Sequence, residues 1–228
     1  MPTRAPIAVA LDAPDVETAA RWAQAVTPYV QVVKVGLELF CQAGPSVVET
    51  VRGGSGVDLF LDLKLHDIPN TVAGAAAGVA KLRPTYLTVH ACGGADMVRA
   101  AVEAAPDVTI AAVTVLTSLS AEVLAQIGLA GPPLDAVRRL AVLAVGAGAR
   151  ALVCSPHEVA AVRREVGPGV VLITPGVRPA GTDVQDQARV ATPQQALADG
   201  ADLLVIGRPI TGASDVGVAA AQLAASLA

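Results

Sequence analysis

Short apolar runs alternate with longer stretches of helical spacing along the whole chain. The helical stretches include VETAARWAQAV, which follows a capping Asp15, and PPLDAVRRLAVLAV, which opens with a proline stop. Eight apolar runs predict β-strands: IAVALD (7–12), VQVVKVGL (30–37), DLFLDLKL (58–65), YLTVHA (86–91), VTIAAVTVL (108–116), ALVCS (151–155), VVLITPG (170–176) and LLVIGRPI (203–210). Eight β-then-α units predict a (β/α)8 TIM barrel of the α/β class, a single domain over residues 1–228. A doubly wound open sheet is the alternative fold.

The composition agrees with this fold and narrows the possible functions. Hydrophobic residues make up 53% of the 228 residues and aromatic residues only 2%, so the core consists mainly of Ala, Val and Leu. The net charge of -4, without a basic block, argues against nucleic-acid binding. The N-terminal apolar run stops at Asp12, and no uncharged apolar run reaches the roughly 18 residues of a membrane helix. We therefore expect a cytoplasmic protein that does not span a membrane.

Polar residues gather where the predicted strands end, which is where a barrel of this type carries its chemistry. These candidates are Asp12 after the first strand, Lys34 in the second, Asp62, Lys64 and Asp67 in and after the third, His90 at the end of the fourth, Thr117, Ser118 and Ser120 after the fifth, Arg178 and Gln187 after the seventh, and Gly207 and Arg208 at the eighth. The carboxyl ends of the strands therefore predict an active site.

The lysines indicate a functional site more specifically than the other polar residues do, because the chain contains 13 Arg and only three Lys. Two of the three, Lys34 and Lys64, fall inside apolar strand patterns. A lysine can give up a proton, whereas an arginine stays protonated. Strand alternation places Asp62 and Lys64 on one face, expected to point into the barrel, and the leucines at 61, 63 and 65 on the other. The alternative is a buried Asp62–Lys64 ion pair with no function.

The cysteines and histidines offer weaker candidates. They are Cys41, Cys92 and Cys154, and His66, His90 and His157. The cysteines lie far apart and form no C-x-x-C motif, so we expect reduced, half-buried thiols rather than ligands or disulfides. The histidines are expected to be structural. A metal site made by His66, Asp62 and Asp67 stays open as an alternative.

The segment 175–192 is long for a connection without secondary structure. Its two prolines and two glycines are compatible with a lid that closes over a ligand. A plain surface loop is the alternative interpretation.

Several motifs together resemble one family over nearly the whole chain, from Asp12 to Ile210. They are VKVGLELF, LDLKLHDIPNTV, VHACGG, VTVLTS, TPGVRP, DQ-x-R-x-x-TP and VIGRPI. These are similar to the orotidine 5′-monophosphate decarboxylases of the bacterial type. The D-x-K-x-x-D core is shared with sugar-phosphate decarboxylases and synthases of the same superfamily, whereas HDIPNTV and IGRPI are far more specific.

The resemblance implies loss of CO2 from orotidine 5′-monophosphate to give UMP, with no metal and no organic cofactor. Its catalytic array maps onto Lys34, Asp62 and Lys64, with Asp67 supplied by the partner subunit of a homodimer. Lys64 would protonate the C6 carbanion. The family's ribose contacts fall on Asp12 and on Thr71, which would reach across the dimer. Its phosphate contacts fall on Gln187, Gly207, Arg208 and, less securely, Arg178. The pyrimidine contact falls on Thr117 or Ser120.

Three other functions compete with this one. A magnesium-dependent decarboxylase or synthase acting on a sugar phosphate would share the D-x-K-x-x-D motif. A Schiff-base aldolase would use Lys34 or Lys64 as an amine nucleophile. A barrel that only binds a nucleotide or phosphometabolite would show affinity for UMP and no turnover.

Overall fold

The computed structural model describes residues 4–129, 131–178 and 191–227. The strands in this part of the chain are β1 (Ala5–Ala10), β2 (Val30–Gly36), β3 (Asp58–Leu65), β4 (Tyr86–His90), β5 (Thr109–Val113), β6 (Ala151–Val153), β7 (Val171–Thr174) and β8 (Leu203–Ile206). Neighbours in sequence pair in parallel, and β8 pairs with β1, so the sheet closes. The predicted (β/α)8 barrel is confirmed, and the open sheet is wrong.

Helices surround the barrel. Within the described residues they are α1 (Val16–Val26), α2 (Leu37–Ala43), α3 (Ser46–Arg52), α4 (Pro69–Ala80), α5 (Ala95–Ala104), α6 (Ala121–Gln126), α7 (Pro133–Gly146), α8 (Val159–Val166), α9 (Pro193–Ala198), α10 (Arg208–Thr211) and α11 (Val216–Ala225). The Asp15 side chain caps α1 by accepting the Thr18 N–H at 2.6 Å, as the sequence predicts. None of these helices combines the length and the apolar character needed to cross a membrane.

The core has two layers, which follow from the alternation of side chains along each strand. The layer between strands and helices is built mainly from Ala, Val and Leu, as the composition predicts. The layer inside the barrel contains Ala8, Val32, Phe60, Ala111, Ala151, Ile173 and Leu203. Phe60 packs edge-on against Tyr86 there, with ring centroids 5.9 Å apart. The barrel is thus filled, and a ligand can reach only its open ends.

Most strands end earlier than the apolar runs predict. The run 108–116 contains β5 only as far as Val113, and the run 203–210 contains β8 only as far as Ile206. After β8, Gly207 leaves the extended conformation and Pro209 lies in the first turn of α10, where a missing N–H costs nothing. After β5, the apolar residues Val115 and Leu116 lie in a loop at the mouth of the barrel, and after β8 the apolar residue Ile210 is buried in α10. Burial therefore continues the apolar pattern beyond the strands.

Candidate active site

Four charged side chains meet at the carboxyl ends of β1, β2 and β3, and their signs alternate. Lys34 Nζ lies 3.4 Å from Asp12 Oδ1 and 3.4 Å from Asp62 Oδ2. Lys64 Nζ lies 2.8 Å from Asp62 Oδ1. This charged array therefore runs Asp12, Lys34, Asp62, Lys64, and each charge is followed by one of opposite sign. Neighbouring charges in such an arrangement attract each other.

Burial is uneven along the charged array. The Lys34 side chain is 7% exposed and that of Asp62 is 14% exposed, whereas Lys64 and Asp12 are 32% and 51% exposed. The two inner members are held by each other and by their neighbours. Lys64 is a partly exposed cation next to a largely buried carboxylate and lines both cavities described below, so it can reach a bound ligand.

Gly36 is the last residue of β2 and has no side chain, so part of the charged array occupies the space that a side chain would fill. A Cβ at this position would lie 2.8 Å from Asp12 Oδ1 and 2.9 Å from Lys34 Nζ. Non-bonded carbon atoms do not approach polar atoms so closely, so a side chain here would move one of these groups. The close approach, rather than backbone freedom, explains the glycine.

Lys64 departs from regular strand geometry. Its φ angle of +50° lies in the left-handed region, which is uncommon for a residue with a side chain. The register with β4 shifts between Leu61 and Leu65, where four residues of β3 span the distance that two residues of β4 cover. The predicted regular alternation is therefore wrong at this bulge. The side chains of Asp62 and Lys64 nevertheless line the same cavity.

Asp62 is the electrostatic centre of the charged array. Burial acts to raise the pKa of its carboxyl group, but the ammonium groups of Lys34 and Lys64 and hydrogen bonds from Lys64 and Thr88 outweigh burial and hold the pKa below its ordinary value. Asp62 is therefore an anion at neutral pH and keeps a negative charge beside Lys64.

The lowered pKa of Asp62 predicts how stability depends on acid. An unfolded chain binds the proton at higher pH than the folded protein, so the stabilisation is present above the ordinary pKa and is lost as the pH falls through the folded value. Between about pH 5 and pH 3, wild-type protein should lose more free energy of unfolding than Asp62→Asn. Urea unfolding across this range measures the difference. Equal losses in both proteins would contradict the lowered pKa.

Two adjoining cavities open at the charged array. The larger, about 450 Å³, is lined by Asp12, Lys34, Asp62, Lys64, Arg178, Gly207 and Arg208, among others. The smaller, about 140 Å³, is lined by Phe60, Val113, Val115, Leu116, Thr117, Val153 and Cys154, among others. Asp62 and Lys64 line both. They therefore separate a polar compartment, suited to an anionic ligand, from a largely apolar one.

Several sequence candidates lie apart from these cavities or outside the described residues, and His90 and Ser118 are among those that line neither cavity. Ser120 caps α6, where its Oγ accepts the Val123 N–H at 3.4 Å, and it lines neither cavity. Asp67 and Thr71 are exposed and also line neither. Gln187 falls outside the described residues, as does most of the segment 175–192.

The comparisons with known proteins agree on one family. The family model described as "Orotidine 5'-phosphate decarboxylase / HUMPS family" matches residues 5–223. The chain belongs to this family. A protein named orotidine 5'-phosphate decarboxylase from Thermobifida fusca (strain YX) is 73% identical to this chain, and the match covers 98% of this chain and 96% of the relative. The resemblance inferred from the motifs is confirmed.

Two further members of the orotidine 5'-phosphate decarboxylase / HUMPS family support this assignment. A protein of the same name from Frankia casuarinae is 61% identical, over 98% of this chain and 88% of the relative. The crystal structure of orotidine 5'-phosphate decarboxylase from Lactobacillus acidophilus has a TM-score of 0.85 and 36% identity to this chain, and the match covers 98% of this chain and 99% of that one. The likeness spans the whole barrel and is not confined to the site.

Two histidines, His66 and His90, lie beside the charged array. The rings of His66 and His90 are 5.6 Å apart. Burial lowers the pKa of His90, and the neighbouring His66 and Lys64 lower it further, while Asp62 opposes them. Among the described residues, no group of three or more His, Cys, Asp or Glu side chains is placed to hold a metal ion, so the alternative site at His66, Asp62 and Asp67 gains no support.

The cysteines differ from the prediction of half-buried thiols. Cys41 and Cys92 are exposed, and Cys154 is fully buried beside the apolar cavity. Burial raises the pKa of the Cys154 thiol well above its ordinary value, and nearby Glu158 raises it further. Cys154 therefore serves as an uncharged wall residue.

Two features of the site are not predicted from the sequence. One is the apolar cavity, whose walls include Phe60, Val113 and Val153, which the apolar pattern predicts only as strand residues. The other is Thr88, buried in β4 and hydrogen-bonded to two members of the charged array. A signal for Thr88 was present, because it is a polar residue inside the apolar run YLTVHA and stands one strand away from Asp62.

Proposed function

We propose that this chain removes CO2 from orotidine 5′-monophosphate to give UMP, the last step of de novo pyrimidine nucleotide biosynthesis, without a metal or organic cofactor. The observation that carries the proposal is the charged array at the mouth of the barrel, in a chain 73% identical to a protein named for this activity. The proposal treats residues 1–228 as one decarboxylase domain that acts in the cytoplasm as a homodimer.

Lys64 has the central role in this reaction. When the bond between C6 and the carboxylate breaks, its electron pair stays on C6 and CO2 leaves uncharged. The ammonium of Lys64 stabilises the carbanion as it forms and then donates a proton to C6, which completes UMP. The neutral amine regains a proton from water after the product leaves. The partial exposure of Lys64 supports both steps, since the side chain can meet substrate and solvent in turn.

Asp62 and Lys34 hold Lys64 in position. Asp62 Oδ1 lies 2.8 Å from Lys64 Nζ, and its other oxygen lies 3.4 Å from Lys34 Nζ, so the carboxylate is fixed from both sides. In the proposed complex Asp62 also crowds the substrate carboxylate, whose charge is lost as CO2 departs. The apolar walls of the smaller cavity keep water away from C6 and suit an uncharged product such as CO2 better than an ion.

The larger cavity supports the proposed binding of the ribose phosphate. Asp12 lies at its edge as a partner for ribose hydroxyl groups, together with Thr71 of the second subunit. Arg208 and the Gly207 backbone follow β8, which is where barrels generally bind phosphate, and Arg178 lines the same cavity. We assign Gln187 to the same phosphate group. For the pyrimidine edge, the lining of the smaller cavity favours Thr117 over Ser120.

We propose that Asp67 and Thr71 act in the active site of the partner subunit. They lie on an exposed stretch, 66–71, that includes Ile68, a residue that is 66% exposed. A large apolar side chain in this position suits an interface between subunits better than contact with water. Asp67 Oδ1 accepts the Ile68 N–H at 2.6 Å, which fixes the carboxylate at the surface and leaves it available to a second chain.

Gly36→Ala tests whether the geometry of the charged array matters for turnover. The added methyl group must displace Asp12 or Lys34, and a shift of about 1 Å in a site can lower the rate by about 100-fold, so we expect kcat/KM to fall by about 10- to 100-fold. Gly146→Ala, at the exposed end of α7 with nothing near the new Cβ, is the matched control and should behave as wild type. Wild-type kinetics in folded Gly36→Ala would mean that the array tolerates displacement.

Product analysis in heavy water tests the proposed reaction. Orotidine 5′-monophosphate is incubated with wild-type protein in D2O, and the products are followed by NMR. The proposal predicts UMP that carries one deuterium at C6, with one CO2 released for each UMP. Recovery of unchanged substrate bound to folded protein would support a barrel that only binds nucleotides, and the proposed function would be wrong.

A further inference from the structure

Thr88 connects two members of the charged array through a single buried hydroxyl group. Its Oγ1 accepts the backbone N–H of Lys64 at 2.8 Å and donates to Asp62 Oδ1 at 3.0 Å. The same Asp62 oxygen accepts a hydrogen bond from Lys64 Nζ. Thr88, Asp62 and Lys64 therefore form a closed ring of contacts, in which the side chain and the backbone of Lys64 are held at once.

The backbone contact explains how the unusual conformation of Lys64 is maintained. The bulge in β3 takes this part of the strand out of register with β4, and Lys64 adopts φ of +50°. A residue with a side chain keeps such a conformation only when its surroundings enforce it. The Thr88 hydroxyl supplies one such restraint, because it accepts the Lys64 N–H where a strand carbonyl would accept it in a regular ladder.

The direction of the hydrogen bonds ties this arrangement to the charge of Asp62. A hydroxyl group has one proton to donate and lone pairs to accept with. The Thr88 proton goes to the Asp62 carboxylate, which leaves its lone pairs for the Lys64 N–H. Both bonds of Thr88 are satisfied together while Asp62 is ionised. An apolar side chain of the same shape could make neither bond.

We propose that Thr88 is a positioning residue for the decarboxylation, because its hydroxyl group fixes the backbone of Lys64 and the carboxylate of Asp62 relative to each other. This inference rests on the proposed function. Thr88 does not line either cavity and need not touch the substrate. Its effect on the reaction is therefore through the placement of the Lys64 ammonium over C6.

Thr88→Val removes the hydroxyl group and keeps the shape of the side chain. We expect kcat to fall by about 10- to 100-fold with little change in KM, since misplacement of the proton donor affects the reaction more than ground-state binding. Thr88→Ser restores the hydroxyl and should recover most of the lost kcat. Thr114→Val is the matched control: Thr114 is also buried, just after β5, and among the described residues its hydroxyl bonds only to the Val153 carbonyl at 2.9 Å. It should keep wild-type kcat.

A second measurement does not depend on turnover. The carboxyl carbon of Asp62 is followed by NMR during a pH titration, with Asp62→Asn used to assign the signal. Loss of the Thr88 hydrogen bond should raise the pKa of Asp62 in Thr88→Val relative to wild type, and Thr88→Ser should return it. Should Thr88→Val not fold, Thr88→Cys, which is similar in size and a weak hydrogen-bonding group, takes its place with the same expectations.

The outcomes separate this inference from the proposed function. Wild-type kcat in Thr88→Val, or equal losses of kcat in Thr88→Val and Thr88→Ser, would overturn the positioning role. An unchanged pKa of Asp62 in Thr88→Val would overturn it as well. Absence of turnover in wild-type protein would instead contradict the proposed function, while the NMR titration would still report whether Thr88 holds Asp62.

Discussion

Lys64→Ala is expected to lower kcat by at least about 10⁴-fold, because the variant loses both the proton donor and the cation beside the developing charge. Binding of UMP should change little, since the groups proposed to hold the ribose phosphate, such as Asp12 and Arg208, lie elsewhere along the cavity. Arg208→Ala provides the contrast and should chiefly raise KM. Steady-state kinetics, together with calorimetric titration of UMP, separates the two effects.

The chain provides a matched control for this experiment in its third lysine. Lys81 is exposed at the end of α4 and belongs to neither cavity, so Lys81→Ala removes the same side chain without touching the charged array. It should retain wild-type kcat and KM. Turnover in Lys64→Ala within tenfold of wild type would contradict the assignment of Lys64 as proton donor.

Mixing two inactive variants should restore activity if Asp67 acts across a dimer. In a heterodimer of Lys64→Ala and Asp67→Asn chains, one site combines intact Lys64 with intact Asp67 from the partner, and the other site lacks both. After random exchange of subunits, half of the dimers are heterodimers with one wild-type site each, so about a quarter of wild-type activity is expected. The measurement is activity before and after exchange through mild denaturation.

The controls for the mixing experiment establish what recovery means. Each variant taken alone through the same exchange should stay inactive. Mixing Lys64→Ala with Asp62→Asn should also give no recovery, because both residues belong to one chain's charged array and every site then lacks one of them. If the Asp67→Asn mixture shows no activity although heterodimers are present, Asp67 acts in its own chain. Wild-type activity of Asp67→Asn taken alone would instead mean that Asp67 has no role in the reaction.

The sequence predicts the barrel well because its signal is repeated. Apolar runs and helical stretches alternate eight times, and each unit independently favours the same fold. The strand ends are predicted poorly, since residues such as Val115 and Leu116 continue the apolar pattern into loops that line a cavity. Hydrophobicity reports burial, and burial at the mouth of a barrel does not require a strand.

Contacts between strands limit what could be predicted at the site. Four ionisable residues stand out in or next to apolar runs: Asp12, Lys34, Asp62 and Lys64. In the structure the charged group of each lies within 3.4 Å of the next one in sequence order. The bulge at Lys64 could not be foreseen from β3 alone, because Thr88 in the neighbouring strand accepts its N–H. Regular alternation is a property of one strand, whereas a bulge belongs to a pair.

Two other questions depend on information that spacing does not contain. Thr117 and Ser120 stand three residues apart after β5, and only the start of α6 at Ala121 makes Ser120 a helix cap. Asp67 lies two residues beyond β3 and points to a role in catalysis only when a second chain is considered. Which of Thr117 and Ser120 faces the cavity depends on local folding after β5. Whether Asp67 acts in catalysis depends on how two chains assemble.

The ultraviolet absorbance of orotidine 5′-monophosphate reports its conversion to UMP, and we would follow it with purified wild-type protein in EDTA and again with added magnesium. Cofactor-free decarboxylation predicts conversion to UMP at the same rate in both conditions. Conversion only with magnesium would contradict a metal-free reaction. No conversion in either, from folded protein, would point to the sugar-phosphate enzymes that share the D-x-K-x-x-D motif.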